Sequence, residues 1–229
     1  MGRVQVFDVN ETLLDLAAMD PHFQRIFGDP GVRVTWFGQM ISSALVATVT
    51  GTYHPFGDHA MAALAMTAEQ AGVSLTDDDK QAVATQLRQL PAHPEVAGAL
   101  GRLGDAGLRL AALTNSTEEV ARAQLTHAGL IDRFELVLSA DTVRRLKPAP
   151  EPYRMAAERL GVAVDQVRLI AAHPWDVAGA AGAGCATAFV ARPGKVPNPL
   201  AEPPGVVGAD LAEVADAILA AEQDGTGRR

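Results

Sequence analysis

The sequence has a single cysteine, Cys185, so no internal disulfide can form. Its neighbours Ala186, Ala188, Phe189 and Val190 are apolar, which predicts a buried strand thiol and not a nucleophile. No uninterrupted apolar run reaches the roughly 18 residues of a membrane-crossing helix, and the N-terminus lacks the basic-then-apolar order of a signal peptide. A cytoplasmic protein with no membrane partner is expected. Blocks of Lys and Arg are also missing, and 27 acidic against 19 basic residues leave a formal charge of −8. Nucleic-acid binders carry a basic face, so no nucleic-acid partner is expected. Internal repeats and low-complexity segments are absent; residues 193–204 read as a Pro-rich surface loop. What is present is 229 residues, 48% hydrophobic, enough for one large domain or a domain carrying an insertion.

The stretch Arg3 to Asp15 organises the rest. Val4, Val6 and Phe7 form a short apolar run that Asp8 halts abruptly, the pattern of a buried strand. Ligands of open parallel sheets sit at the carboxyl ends of strands, which places Asp8 where chemistry is done. A second reading stays open, because Asp8-x-x-Glu11 before Leu13 and Leu14 is also a capping-box pattern.

After Asp15 the pattern is helical for about 75 residues, with helices expected over 35–49, 56–71 and 76–90, and Thr76 and Asp77 as caps. From Pro94 helices and strands alternate. Helices are expected over 94–105, 116–128, 151–160, 175–182 and 211–221; strands over 108–114, 134–138, 167–172, 186–191 and near Val206. This order predicts an α/β fold with a doubly wound parallel sheet and right-handed crossovers. A polar tail, 224–229, is expected to be without order.

Three polar clusters fall at strand ends. Thr114-Asn115-Ser116 makes an anion-binding corner, or a plain cap through Ser116-x-x-Glu119. Lys147-Pro148, with Tyr153 six residues on, holds a lysine that is either solvated or paired with a carboxylate and keeping it ionised. His173-Pro174-Trp175-Asp176 offers a general base and a metal ligand or orienting carboxylate.

Taken together, Asp8-x-Asn-x-Thr-Leu, Thr114-Asn115, Lys147-Pro148 and Trp175-Asp176 with Gly179, Ala180 and Gly184 resemble the four ordered motifs of the haloacid dehalogenase superfamily. The resemblance covers nearly the whole chain. It implies a Rossmann-like core over 1–15 and 92–229 and a helical cap over 16–91. Within the superfamily the chain looks most like the type II, L-2-haloacid dehalogenases. The phosphatase relatives carry a second Asp two residues after the nucleophile as general acid, and here that position is Asn10. Losing that acid costs roughly 10²–10⁴-fold, which disfavours phosphoester hydrolysis.

The resemblance implies that Asp8 displaces halide from carbon, giving an aspartyl ester that water hydrolyses to a 2-hydroxy acid. It implies that Lys147 keeps Asp8 ionised and that Asp176 orients Lys147 and the water. Thr12, Thr114 and Asn115 would hold the nucleophile and the substrate carboxylate, with Tyr153 and Trp175 also at the substrate. His173 is expected either to activate the water or to be a surface loop histidine pinned by Pro174. No cofactor is implied. The alternative is a protein that has lost dehalogenation, binding without turnover or holding Mg²⁺ on Asp8, the Asn10 carbonyl and Asp176. The expected partner is a small organic acid, and a homodimer is the assembly considered.

Departures from the type II pattern concern the pocket. The dipeptide Trp36-Phe37 stands where these enzymes have Trp-Arg against the departing halide, leaving an aromatic edge with Asn10 or Gln39 to meet it. The family's Tyr is Asn10, its Gly is Glu11, its Ser-Ser is Ala171-Ala172 and its Asn is His173.

Overall fold

The computed structural model describes residues 2–226. Six parallel strands form one sheet: β1 (Val4–Phe7), β2 (Leu110–Thr114), β3 (Leu136–Ser139), β4 (Val167–Ala171), β5 (Ala186–Val190) and β6 (Val206–Gly208). Their order is β3-β2-β1-β4-β5-β6, with β1 central. The chain leaves β1 toward β2 on one side and returns to β4 on the other. That reversal opens a crevice at the carboxyl end of β1, where Asp8 follows Phe7.

Period-two alternation distributes the strands between two cores. Val4 and Val6 pack with Tyr153, Met155 and Ala156 of helix α7 (Pro150–Leu160) and Val177 and Ala180 of α8 (Pro174–Ala183). Phe7 faces the other layer, with Leu100 of α5 (Val96–Asp105), Leu125 of α6 (Glu118–His127) and Ile218 of α9 (Leu211–Thr226).

Between β1 and β2 lie a short 3₁₀ turn, Leu16–Met19, and helices α1 (Asp20–Phe27), α2 (Val32–Thr50), α3 (Phe56–Ala71) and α4 (Asp77–Leu87). This segment leaves and re-enters through a neck in which Asp15 N–H donates to the Pro91 carbonyl (2.8 Å) and His93 N–H to the Leu13 carbonyl (3.0 Å). The indole N–H of Trp36 donates to the Ala60 carbonyl at 2.8 Å, tying α2 to α3.

Several boundaries differ from expectation. Helix α1 lies in a stretch where no separate helix was expected; Asp15 caps the preceding turn and Pro21 sits in the first turn of α1. Helix α6 is capped by Thr117, whose hydroxyl accepts from Val120 N–H, so Ser116-x-x-Glu119 is not the capping box. Helix α9 runs to Thr226, past the start of the expected tail; residues 227–229 lie outside the described residues. Among the described residues no helix is long and apolar enough to cross a membrane.

Candidate active site

Residues 8–12 do not start a helix. Asp8 Oδ1 accepts from Lys147 Nζ at 2.8 Å and Oδ2 from the Thr12 hydroxyl at 2.7 Å. Thr12 Oγ1 in turn accepts from Ala172 N–H (2.9 Å) at the end of β4, and the Thr12 carbonyl takes Arg192 Nη2 (2.8 Å). Glu11 stands at φ +60°, a left-handed conformation unusual for a residue with a Cβ, and its carboxylate binds Lys195 Nζ at 2.7 Å. The capping-box reading of Asp8-x-x-Glu11 is therefore corrected: one carboxylate faces inward and the other faces a loop lysine.

Lys147 is buried, which corrects its reading as a solvated loop residue. Besides Asp8 its ammonium donates to Asp176 Oδ2 (2.6 Å) and to the Leu113 carbonyl (3.0 Å) at the end of β2. Burial alone would raise the Asp8 carboxyl, but the Lys147 ammonium foremost, then His173 and the hydrogen bonds, hold it below its ordinary value. Burial pulls Lys147 down, and the two carboxylates override this and raise it. Asp176 is raised, by burial first and by Asp8. Asp8 is thus the member of the trio poised as an anion. Cys185 is buried and pushed up to about 12 by burial and then by Asp176, an inert thiol as expected from its neighbours.

The remaining expected residues separate into two groups. Asn115 clamps the Lys147 loop, its Oδ1 accepting from Lys147 N–H (2.7 Å) and its Nδ2 donating to the Lys147 carbonyl (3.3 Å). Tyr153 lies behind the trio and donates to Asp176 Oδ1 at 2.6 Å. Trp36 is fully buried among α2, α3 and Phe23, one ring removed from the pocket. Gln39 points to Met66 and does not line the site. By contrast Asp8, Asn10, Phe37, Thr114, Asn115, Lys147, His173 and Trp175 all line one inner cavity of about 10 Å³, roofed by Ile41 and Phe56.

His173 is buried, which corrects the surface-loop reading. Its ring is stacked between Phe37 (centroids 5.5 Å, planes 25°) and Trp175 (5.1 Å, 18°). Nε2 lies 3.2 Å from the Asn10 carbonyl, 3.7 Å from Glu11 Oε2 and 3.8 Å from Asp8 Oδ2. A carbonyl oxygen only accepts, so this contact assigns the proton to Nε2 as donor and leaves the lone pair of a neutral ring on Nδ1. An outer cleft of about 480 Å³ shares Phe37, Ile41, His173 and Trp175 with the inner cavity and adds Arg33, Lys195 and Val196.

A haloacid dehalogenase-like hydrolase model matches residues 3–184. The chain belongs to this family. It is 30% identical over 192 residues to (S)-2-haloacid dehalogenase 1 of Pseudomonas sp. (strain CBS-3), covering 83% of this chain and 85% of that one. Haloacetate dehalogenase H-2 of Moraxella sp. (strain B) is 27% identical over 200 residues, 86% of this chain and 89% of that one. The L-2-haloacid dehalogenase of Xanthobacter autotrophicus with chloropropionic acid covalently bound superposes with a TM-score of 0.88 at 25% identity, covering 96% and 99% of the two chains. In this haloacid dehalogenase-like chain, sequence reasoning missed Arg192, Lys195, Ile41, Phe56 and Gln124. Arg192 had a usable signal, a charge two residues after the apolar strand β5. Gln124, which donates to Asn10 Oδ1 at 3.1 Å, had none.

Proposed function

We propose that this enzyme is a 2-haloacid dehalogenase in which Asp8 attacks the halogen-bearing carbon. The observation that carries the reading is the Asp8 carboxylate at the crevice of the sheet, braced by Lys147 on one oxygen and Thr12 on the other. The Asp8 oxygen–carbon bond forms as the carbon–halogen bond breaks and halide departs. Water then adds to the ester carbonyl of Asp8; the bond from that carbonyl to the alkyl oxygen breaks. The 2-hydroxy acid leaves with an oxygen that came from Asp8, one water proton protonates the departing alkoxide and the other goes to solvent.

In this reading Lys147 keeps Asp8 anionic, and Thr12 fixes its orientation. Asp176 and Tyr153 act through Lys147, since both Asp176 oxygens are taken by Lys147 and Tyr153. Asn115 acts through the same loop. The Asn10 amide, with Phe37 and Phe56, meets the departing halide. Residues 16–91 serve as a cap over the core formed by 1–15 and 92–229, and the enzyme works in the cytoplasm on a small organic acid without a cofactor. A Mg²⁺-dependent phosphatase fits the donor set poorly, because the Asp176 oxygens and the Asn10 carbonyl are engaged by other side chains.

Halide release from chloro-, bromo- and fluoro-substituted 2-haloacids, with EDTA or with added Mg²⁺, tests the proposal. Release from at least one acid, unchanged by EDTA, is expected. No halide from any acid, together with Mg²⁺-dependent phosphate release from phosphoesters, would refute it.

A further inference from the structure

Gln124 is buried in α6, outside the steps of the reaction, and its amide ends against the loop of the nucleophile. Its Nε2 donates to the Leu87 carbonyl (2.6 Å) at the end of α4 and to Asn10 Oδ1 (3.1 Å). Its own Oε1 is buried and meets no partner among the described residues. A buried carbonyl left unpaired costs stability, so this side chain is held by its donor end. The Leu87 carbonyl only accepts, which fixes that end as nitrogen; a turned-over amide would set Oε1 against two acceptors.

We propose that Gln124 is a positioning residue that sets the Asn10 side chain, holding its Oδ1 away from the reacting atoms and leaving its Nδ2 for them. A primary amide offers an acceptor at one end and two donors at the other, and its two orientations have the same shape. Asn10 lines the inner cavity; with Oδ1 taken by Gln124, its Nδ2 meets no acceptor among the described residues. The Asn10 backbone carbonyl is occupied as well, by His173 Nε2 at 3.2 Å. Both oxygens of the residue are thus engaged and both side-chain N–H groups are free.

The orientation decides the sign of what Asn10 contributes. As carbon is displaced, negative charge grows on the halogen, and N–H groups facing it stabilise the transition state more than the ground state. The opposite orientation would set a carbonyl oxygen against the growing charge and oppose its departure. Position 37 holds a phenyl ring and no guanidinium that could override the amide. The leaving-group step therefore depends on how this one amide is set, and chloride, which takes stronger hydrogen bonds than bromide, depends on it more.

This assignment rests on the haloacid reading, and bromide binding, which needs no turnover, separates the two. Saturating single-turnover rates of halide release from 2-chloro- and 2-bromopropionate are compared in the wild type, Gln124→Met, Asn10→Ala and the double variant; methionine keeps the length of Gln124 and removes its donor. Gln124→Met is expected to slow chloride release roughly tenfold and bromide release less, with little change in half-saturation. Asn10→Ala should shift the chloride-to-bromide ratio in the same direction, and adding Gln124→Met to it should shift the ratio no further. In NMR spectra of the wild type the Asn10 side-chain amide, assigned through bonds to its own backbone, should move on adding sodium bromide, and Gln124→Met should weaken the response. The wild-type titration keeps the test valid if a variant fails to fold. An unchanged ratio in Gln124→Met would overturn the assignment, as would a further change of the ratio in the double variant or a wild-type Asn10 amide that ignores bromide. If the amide responds to bromide, the response weakens in Gln124→Met and no haloacid releases halide, the assignment stands and the dehalogenase reading fails.

Discussion

Gly179 shows how closely the catalytic trio is assembled. A Cβ there would lie 2.5 Å from Pro148 Cβ, 2.7 Å from the Pro148 carbonyl and 2.8 Å from the Tyr153 hydroxyl. Only hydrogen fits between α8, which carries Asp176, and the loop that carries Lys147. Gly179→Ala is expected to destabilise the fold by about 1–3 kcal/mol and to slow turnover by displacing Lys147 from Asp8. Denaturant unfolding and steady-state kinetics check this, and a variant matching the wild type in both would show that the contact gives way freely. Asp8 was legible because it stands at a strand end, and strand ends converge in a parallel sheet; Thr12, Lys147 and Asp176 were legible through the ordered motifs that resemble those of the superfamily. Glu11 was not. Its left-handed backbone and its link to Lys195, 184 residues away, leave no mark on local pattern. The His173 tautomer was equally hidden, since it is set by the backbone carbonyl of Asn10.

At the scale of elements, helix α4 begins with a complete capping box. The Thr76 hydroxyl accepts from Asp79 N–H at 3.1 Å, while Asp79 Oδ2 accepts from Thr76 N–H at 2.9 Å. Those Thr76 bonds, with Arg25 behind them, lower the Asp79 carboxyl from 3.8 to about 2. A carboxyl lowered by folding stabilises the native state above its unfolded value and loses that contribution as pH falls through the folded one. The Asp79 contribution is therefore full above about pH 4 and fades toward pH 2. Thr76→Ala should cost about 1 kcal/mol at neutral pH, and Asp79→Asn should lessen the acid sensitivity of unfolding between pH 4 and 2. Identical acid-unfolding curves for Asp79→Asn and wild type would contradict the cap's role. The sequence marked Thr76 correctly because its bonds are local, whereas Asp77, also expected as a cap, is the first residue of the helix and Asp79 completes the box. It misplaced the start of α6, where the Thr114 hydroxyl accepts from Ser116 N–H at 3.2 Å and delays the helix to Thr117.

Across the whole molecule the β-α alternation was readable from Pro94 onward, since buried parallel strands are apolar runs between amphipathic helices. The seating of the helices after Asp15 was not readable. Trp36, Met40, Ala60 and Leu64 of that segment join the same buried cluster as Phe7, Leu100 and Ile218 from the sheet side. That continuity presses Phe37, Ile41 and Phe56 onto the nucleophile and closes the inner cavity to about 10 Å³. Closure of this kind favours a small substrate and a covalent intermediate shielded from bulk water. The central claim is that Asp8 forms and loses an ester. A single turnover of a 2-haloacid with excess enzyme in H₂¹⁸O, followed by mass analysis of the Asp8 peptide and of the product, measures it directly. One ¹⁸O in the Asp8 carboxylate and none in the new hydroxyl of the 2-hydroxy acid is the predicted result. Label in the product hydroxyl with none in the peptide would mean that water attacks the substrate and that Asp8 is not the nucleophile.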